Sequence, residues 1–350
     1  MTINDLNSQD KIIERNNNLT NNLVIIDGQP GCGKTMFSSI VSSLNRVEIL
    51  NYAFEIEFVS RLNYLNKITD DATIGLIKMF ADHKLYQTMM GRETNFRFKD
   101  LSSVFNNPFP IRYFKRIFSE GDKIITDKIF KNNPILSLTT HNLLSYSDPV
   151  FRAFQNRLSF IEIVRHPLYM VKQQTVNMSE LTKNNPRDID LYFNYKNHSI
   201  PYYAIGWEDL FINSNDVERA IFNINNIYIM NKKIRKFLQK KDKFLTIPFE
   251  KFVVNPNPYL KKINSIMNTE FSRKTKKILK KQKIPRKKIA DGINLDIYKR
   301  YLWEPSNQSL SENEELNLRR NWVKEQGANK YSMDVLDEVS NYYEKEFLDN

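Results

Sequence analysis

Short apolar runs that end in polar residues recur along the chain and give the first indication of its architecture. The run LVIID (23–27) is rich in β-branched residues and is bounded by turn residues, as is typical of a buried parallel strand. Similar runs follow at 134–141, 159–167 and 243–250, and longer segments with helical spacing separate them. Because strands alternate with helices, we predict an α/β fold with a central parallel sheet.

Apolar residues at helical spacing predict most of the remaining elements. A helix directly after LVIID is indicated by apolar residues three and four positions apart, namely Met36, Phe37, Ile40, Val41 and Leu44. From 47 to 100 the pattern is mostly helical, and the stretch 106–118 is a proline-marked turn that leads into an aromatic, basic helix. Further helices are expected at about 214–240 and 310–348.

The elements indicate a single domain. We expect it to cover residues 21–350, with a flexible arm over residues 1–20 in front of it. Within the domain, the patterns predict a helical insertion at about 51–120 and a helical C-terminal region at about 306–350. The sequence shows neither an internal repeat nor a clear interdomain linker.

Composition and charge narrow the class of protein. The chain has 350 residues, 41% of them hydrophobic, and we see no transmembrane segment and no apolar secretory signal at the N-terminus. Its single cysteine suits a reducing interior, so we expect a soluble, cytoplasmic protein. The net charge of +12 favours an anionic partner or reflects a composition rich in Asn, Ile and Lys. We do not expect nucleic acid as a partner, because no recognisable binding motif lies beside the basic runs.

A glycine-rich loop follows the first strand. The chain has only nine glycines, and three of them lie in GQPGCGKT (28–35), which matches G-x-x-x-x-G-K-[S/T] at every fixed position. The glycines allow several backbone N–H groups to surround a phosphate, and the following helix adds its positive end. Lys34 supplies a mobile cation, and Thr35 a hydroxyl ligand. We therefore interpret this loop as a phosphate cradle.

The identity of the phosphate donor depends on the later strands. In P-loop NTPases a second apolar strand usually ends in an aspartate that helps to hold Mg²⁺. Here FIEIV ends in Arg165, which favours a further anion over a metal. The alternative is a salt bridge of Arg165 to an acidic neighbour such as Glu162. The other acidic candidate is Asp127, in a weakly apolar segment that fits a helix end equally well.

At this point the sequence resembles the P-loop sulfotransferase family. FIEIVRHPLYMVKQQ (160–174) looks like the family's strand, Arg-x-Pro and helix, and PILSLTTHNLL (134–144) is similar to its Lys-Thr-His segment. FLTIPFEKFVVNPNPYLKKINSIM (244–267) resembles its late strand, Asn-Pro turn and helix. Together with the loop, the resemblance covers about 22–45 and 134–268, and 24 residues separate His141 from Arg165, close to the family spacing.

The resemblance implies a three-layer P-loop fold with helical insertions, and sulfuryl transfer from 3′-phosphoadenosine 5′-phosphosulfate to a hydroxyl or amine acceptor, a glycan among them. His141 would be the base, and Lys34 would stabilise the leaving group. No bridging metal is needed, so no metal ligand is expected. The residues implied in donor binding are Gly28, Pro30, Gly31, Cys32, Gly33, Lys34, Thr35, Arg165 and Gln173.

The sequence also departs from the family pattern. The loop cation stands at the Walker position, Lys34, instead of early in the loop, and Gln173 stands where the family has a serine. The family's late Arg-Lys-Gly segment is replaced by a basic run at 274–288, which is a solvated helix face or closes over the 3′-phosphate. These differences leave open a kinase or NTPase that uses ATP–Mg²⁺, or a nucleotide-binding protein without catalysis.

Several residues have two interpretations. His141 is a base or a cap of the following turn, and Cys32 is an oxidisable thiol or simply a small loop residue. The aromatic, basic stretch at 92–116 lines an acceptor pocket or forms an amphipathic core helix. His166 is expected to be structural, whereas His83 and His198 have no supporting neighbours in the sequence.

Overall fold

Five parallel strands form the central sheet of the computed structural model, which describes residues 11–98, 100, 102–181, 190–293, 299 and 309–349. The described strands are β1 (Leu23–Asp27), β2 (Val47–Tyr52), β3 (Ile135–Thr139), β4 (Leu158–Val164), β5 (Tyr192–Tyr195), β6 (His198–Pro201) and β7 (Phe244–Pro248). The sheet has the order β2-β3-β1-β4-β7, and β5 and β6 form a separate antiparallel hairpin. The predicted α/β fold is confirmed.

Helices cover both faces of the sheet. In the described residues they are α1 (Lys34–Val41), α2 (Phe54–Tyr64), α3 (Asp70–Met90), α4 (Pro110–Ile117), α5 (Lys123–Asn132), α6 (Asp148–Phe154), α7 (Pro167–Leu181), α8 (Glu208–Asn213), α9 (Asp216–Leu238), α10 (Phe249–Val254), α11 (Asn257–Met267), α12 (Thr275–Lys281), α13 (Glu312–Glu325) and α14 (Lys330–Tyr343). A single π-helical segment, Glu344–Leu348, continues α14. Among the described residues, no helix combines the length and apolar character needed to cross a bilayer.

Alternating side chains of β1 show how the three layers are built. Val24 and Ile26 belong to the apolar core on the side of α1, α7 and α9, whereas Leu23 and Ile25 belong to the core on the side of α3, α5 and α6. All four side chains are buried. A strand that is apolar on both faces is the pattern expected of a parallel strand between two helical layers.

The structure corrects the sequence-based boundaries between 47 and 120. The segment Val47–Tyr52 was expected to be helical, but it is edge strand β2, paired with β3. The strand VEILNY ends at Tyr52, and helix α2 begins only at Phe54. Residues 92–103, where they are described, also lie outside regular helix. The hairpin of β5 and β6 was not predicted.

Residues 11–20, expected to belong to a flexible arm, are bonded to helix α3. Asp82 accepts hydrogen bonds from Arg15 Nε (2.6 Å) and from the backbone N–H of Thr20 (2.8 Å), and Asp71 accepts one from the N–H of Ile13 (2.8 Å). This half of the arm therefore packs on the helical layer. Residues 1–10 lie outside the described part of the chain.

The topology places a ligand site at the carboxyl end of β1. Strand β1 pairs with β3 on one side and with β4 on the other. The chain leaves β1 toward β2 and β3 and later crosses to β4 and β7, so the connections diverge at β1. In open parallel sheets such a divergence opens a crevice beyond the carboxyl ends of the strands. The loop at 28–35 starts from this point.

Asp27, the last residue of β1, connects the loop to the turn after β3. Its buried carboxylate accepts hydrogen bonds from Thr140 Oγ1 (2.8 Å) and from the backbone N–H groups of Leu143 (3.0 Å) and Leu144 (2.8 Å). Three donors satisfy the buried charge. The position of His141 beside the loop therefore depends on Asp27.

We expect Asp27→Ala to lower the free energy of unfolding by about 3 kcal/mol, because three buried donors lose their acceptor. Chemical denaturation of the purified chain measures the change. Asp127→Ala is the matched control, since Asp127 is exposed on α5, and its effect should stay below about 0.5 kcal/mol. Equal effects of the two substitutions would contradict the connecting role of Asp27.

Candidate functional site

The backbone of the loop requires its glycines. Gly28, Gly31 and Gly33 have φ angles of 151°, 89° and 98°. A Cβ on Gly28 would lie 2.4 Å from the backbone oxygen of Ile163 in β4, and one on Gly33 would lie 2.4 Å from the ring of Phe249. Real side chains do not tolerate such contacts. The loop is therefore held tightly between β4 and the start of α10, and side chains at these positions would displace it.

The loop delivers the N-terminus of α1 to the crevice. Gly33 is the N-cap of α1, offers no side chain to the helix, and is followed by a first turn without an acidic residue. The first N–H groups of a helix have no partner within it, and the helix dipole makes this end positive. This end of α1, with the strand before it, is the arrangement that binds phosphate in P-loop proteins.

Lys34 closes the loop from inside. Its side chain is buried, and its ammonium donates to the backbone oxygens of Gly28 and of Gln29 (3.0 Å for Gln29). The cation thus joins the start of the loop to its end. Its charge lies against the carbonyl oxygens of the loop and adds to the positive potential at the start of α1.

Arg165 borders the loop from strand β4. Its Nη1 donates to the backbone oxygen of Gly31 (2.9 Å), and its guanidinium lies 4.2 Å from the ring centre of Phe249. The Nε atom is buried and has no hydrogen-bond partner among the residues that the structure describes. Burial lowers the pKa of Arg165 below its ordinary value, but a guanidinium stays charged at neutral pH. A charged donor without an acceptor is available for a ligand.

The alternative partner of Arg165 is occupied elsewhere. Glu162 accepts from Arg235 Nη1 (2.9 Å), from Asn231 and from Thr246, and both charged side chains are buried. The interpretation of Arg165 as a salt-bridge partner of Glu162 is therefore wrong. The sequence could not show this, because Arg235 lies 73 residues beyond Glu162 on α9.

Two further arginines lie near Arg165. Arg286, from the basic run at 274–288, lies 5.5 Å from the centre of the same Phe249 ring. Arg319 of α13 lies 4.4 Å from the ring centre of Tyr169, and Arg165 lies 4.9 Å from it. The positive charge of Arg319 contributes to the lowered pKa of Arg165. Sequence reasoning missed Arg319, since nothing in its helix distinguishes it from other basic residues.

Two glutamines of α7 contact the loop in different ways. Gln173 Oε1 lies 3.4 Å from the position that a Cβ on Gly31 would take. The neighbouring Gln174 is buried and donates to the side-chain oxygen of Gln29 (3.0 Å) and to the backbone oxygen of Pro30 (3.3 Å). Gln173, which was expected from the sequence, thus lies beside the loop. Gln174 was missed, and it supports the loop.

On the other side of the loop, His141 is paired with a buried carboxylate. Its Nδ1 donates to Glu57 Oε1 (3.3 Å), and Arg61 donates to Glu57 Oε2 (2.9 Å) and to the backbone oxygen of His141 (2.9 Å). The side chain of Glu57 is 1% exposed, whereas that of His141 is 31% exposed. Because Glu57 accepts the hydrogen bond from Nδ1–H, Nε2 is the ring nitrogen of His141 that keeps its lone pair.

Aromatic rings surround His141. The ring of Phe54 lies 5.6 Å from the imidazole at an interplanar angle of 8°, and that of Tyr52 lies 6.0 Å away at 15°. Tyr52 is the last residue of β2, and Phe54 is the first residue of α2. Strand β2 was not predicted from the sequence. They form an aromatic wall beside the imidazole. Glu57 was also missed, although its spacing to Arg61 is that of a helical ion pair.

Other candidate residues have structural roles or lie outside the site. His166 is buried, accepts from the N–H of Leu168 (3.2 Å) and donates to Glu344 (3.0 Å), and burial lowers its pKa. Asp127 is exposed on α5, which leads to the amino end of β3 and so away from the loop. Cys32 is completely buried, and burial raises the pKa of its thiol despite the nearby charge of Lys34.

No protein-family model and no curated protein matches this sequence. Similar solved structures include a sulfotransferase domain from the curacin biosynthetic pathway, at 10% identity and a TM-score of 0.42, with 87% of this chain and 97% of that chain covered. A sulfotransferase domain from the Synechococcus PCC 7002 olefin synthase has 9% identity, a TM-score of 0.39 and coverages of 91% and 99%. A mouse sulfotransferase complexed with PAP has 10% identity, a TM-score of 0.37 and coverages of 97% and 94%. Likeness this low says nothing about the reaction, which we infer from the side chains of this chain.

We expect the thiol of Cys32 to be inert in the folded protein, because it is buried and its pKa is raised. Alkylation by iodoacetamide at neutral pH should be at least about 100-fold slower in the native chain than in the denatured chain. Mass spectrometry over time measures both rates. Comparable rates would show that the loop exposes a reactive thiolate.

Proposed function

We propose that this chain is a sulfotransferase that moves a sulfuryl group from 3′-phosphoadenosine 5′-phosphosulfate to a hydroxyl or amine acceptor. One observation carries the proposal: a buried arginine, Arg165, lies at the end of the strand beside the phosphate loop, and its Nε has no partner in the described part of the chain. A metal-dependent NTPase usually has a carboxylate at this place. A cation here fits a donor that carries a second phosphate apart from its reacting group.

The residues of the site fit this donor substrate. The loop N–H groups and the first turn of α1 would hold the 5′-phosphosulfate, with Lys34 adding positive charge. Arg165 would bind the 3′-phosphate. Arg286 lies near the same Phe249 ring, and Arg319, which is paired with Glu315, lies near Tyr169 and adds positive charge beside Arg165. Gln173 would donate a further hydrogen bond from beside Gly31. Bound there, the donor supplies an activated sulfuryl group with a phosphate as its leaving group.

His141 would carry the proton transfer. Its Nε2 takes the acceptor's proton while the acceptor oxygen or nitrogen bonds to sulfur and the bond from sulfur to the 5′-phosphate oxygen breaks. Glu57 holds Nδ1–H, so that Nε2 keeps its lone pair, and it balances the imidazolium that forms. Lys34 and the loop N–H groups neutralise the negative charge that develops on the leaving phosphate. The products are a sulfated acceptor and adenosine 3′,5′-bisphosphate.

The order of the strands separates donor from acceptor. Arg165 follows β4 on one side of β1, whereas His141 follows β3 on the other, and the aromatic wall of Tyr52 and Phe54 lies farther out at β2. An acceptor would approach from the β2 side, with an apolar or ring face against the wall and its nucleophile at His141. Sugar and phenol rings both suit such a wall.

A kinase or NTPase that uses ATP–Mg²⁺ is the second candidate function. The complete Walker sequence and the inward contacts of Lys34 favour it. Against this function, the two buried carboxylates of β1 and β4, Asp27 and Glu162, both accept hydrogen bonds from protein donors. Asp127 lies on α5, away from the loop.

A nucleotide-binding protein without catalysis is the third candidate function, and it would bind the donor without turnover.

Arg165→Ala should weaken binding of adenosine 3′,5′-bisphosphate by about 10- to 100-fold, because a charge-assisted contact to the 3′-phosphate is lost. Binding of adenosine 5′-monophosphate, which lacks that phosphate, should change less than about threefold. Calorimetry measures the Kd of both ligands. Arg320→Ala is the control, since Arg320 is paired with Asp337 on α14. Equal losses for both ligands would remove Arg165 from the 3′-phosphate site.

His141→Ala should lower kcat of sulfuryl transfer by about 10²- to 10⁴-fold and leave the Kd of adenosine 3′,5′-bisphosphate nearly unchanged. Glu57→Gln should lower kcat by about 10-fold or more, because the amide no longer fixes the Nδ1–H tautomer. His198→Ala, at an exposed histidine of β6, is the control. The assay follows radiolabelled sulfate from the donor to a panel of phenols and sugars. Turnover that survives in His141→Ala would exclude this residue as the base.

A further inference from the structure

Helix α4 exposes an apolar face that the fold leaves uncovered. Ile111, Phe114, Ile117 and Phe118 are 68%, 37%, 51% and 87% exposed, and their spacing of three, four and seven residues places 111, 114 and 118 on one side of the helix. Phe98, 75% exposed, extends this face. We call these five residues the apolar patch. The sequence analysis interpreted 92–116 as a pocket lining or an amphipathic core helix. Arg92 lines a cavity with Tyr52, and Tyr113 is buried, whereas the residues of the patch are exposed.

The patch is fixed to the domain by the opposite side of α4. Tyr113 is buried and donates to Glu48 of β2 (3.1 Å), and Arg116 donates to both carboxylate oxygens of Glu48 (2.7 and 2.9 Å). These contacts fix the orientation of α4 about its own axis, so that the residues of the apolar patch face outward. The exposure of the patch is therefore a consequence of the fold.

Stacked rings connect the individual side chains into one surface. The rings of Phe98 and Phe105 lie 4.0 Å apart at an interplanar angle of 10°, and Phe105 lies 5.7 Å from Phe114. Phe114 also contacts Phe96 at 5.3 Å. Contiguous exposed apolar surface of this kind marks an interaction site, whereas single exposed residues do not.

A basic surface lies next to the patch. Helix α12 exposes Lys276, Lys277, Lys280 and Lys281, and the sequence from 271 to 290 contains no acidic residue. Lys281 Nζ donates to Asn106 Oδ1 (3.3 Å), in the turn that also carries Phe105. We call these four lysines the basic ridge. The ridge and the patch therefore border each other.

From this juxtaposition we propose that the apolar patch and the basic ridge form a docking surface for an anionic phospholipid membrane. An anionic bilayer accepts both features: its acyl boundary covers Phe and Ile side chains, and its headgroups attract lysines. A nucleic acid would engage the ridge and leave the aliphatic side chains Ile111 and Ile117 in water. An apolar protein groove would cover the patch and gain nothing from the lysines.

The docking surface lies on the acceptor side of the sheet. Ile49 of β2 packs with Val104 and Tyr113 beneath the patch, and Tyr52, the last residue of β2, lies beside His141. Docking would therefore turn the β2 edge toward the membrane. The inference itself does not depend on the transfer reaction, because membrane binding is measured without donor or acceptor.

Cosedimentation of the full chain with phospholipid vesicles tests the proposal. The chain should bind vesicles of phosphatidylcholine mixed with phosphatidylglycerol at least about 100-fold more tightly than vesicles of phosphatidylcholine alone, and added salt should weaken this binding. Failure to bind anionic vesicles, or equal binding to both kinds, would overturn the proposal.

Two variants separate the contributions of the surface. The triple substitution Ile111→Ser, Ile117→Ser and Phe118→Ser should weaken binding by about 100-fold, because three apolar side chains no longer insert. Glutamine at all four positions of the basic ridge should cause a loss on the order of 100-fold that is confined to anionic vesicles. Circular dichroism and thermal unfolding verify that both variants are folded.

Phe237→Ser with Ile229→Ser is the matched control, because both residues are exposed on α9, by 73% and 46%. This control should bind vesicles like the unmodified chain. If the triple-serine variant binds as tightly as the unmodified chain, the apolar patch does not dock on membranes. If the unmodified chain ignores vesicles but forms a dimer that the triple substitution dissociates, a second copy covers the patch and the proposal is wrong.

Discussion

The close packing of the phosphate loop between strand β4 and Phe249 is the constraint on which the rest of the site depends. Gly28 leaves no room for a Cβ against the backbone of Ile163, and Gly33 leaves none against the ring of Phe249. The same ring lies against Arg165 at 4.2 Å. Loop conformation, arginine position and the start of α10 are therefore set together, and a shift in one moves the others.

Charge is distributed along the sheet edge in a way that suits transfer between two bound partners. Cations lie on the β4 side, where Arg165 has Arg286 and Arg319 as neighbours around two aromatic rings. His141 and the carboxylate of Glu57 lie on the β3 side. The loop between them joins both sides, because Asp27 at its start holds the turn that follows β3. The fold thus places the arginines and the histidine, which we propose to bind an anion and to accept a proton, on either side of one glycine-rich loop.

The sequence was sufficient for features that depend on local patterns. The loop, three of the four strands that follow β1 in the central sheet, and helix α9 come from apolar periodicity and glycine spacing, and the structure confirms these elements. Strand β2 was missed because Glu48 and Asn51 interrupt the apolar run of VEILNY, which therefore lacks the continuous apolar pattern of a buried parallel strand. The roles of Glu57, Gln174 and Arg319 depend on contacts between distant segments, and no local pattern encodes such contacts.

Equilibrium binding to the unmodified chain tests the central claim most directly. Calorimetry would compare adenosine 3′,5′-bisphosphate with ATP, each with and without Mg²⁺. We expect the bisphosphate to bind at least about 10-fold more tightly than ATP, with an affinity that Mg²⁺ does not change, because under this proposal Arg165 binds the 3′-phosphate. Tighter binding of ATP that appears only with Mg²⁺ would contradict the sulfotransferase proposal and favour a kinase or NTPase.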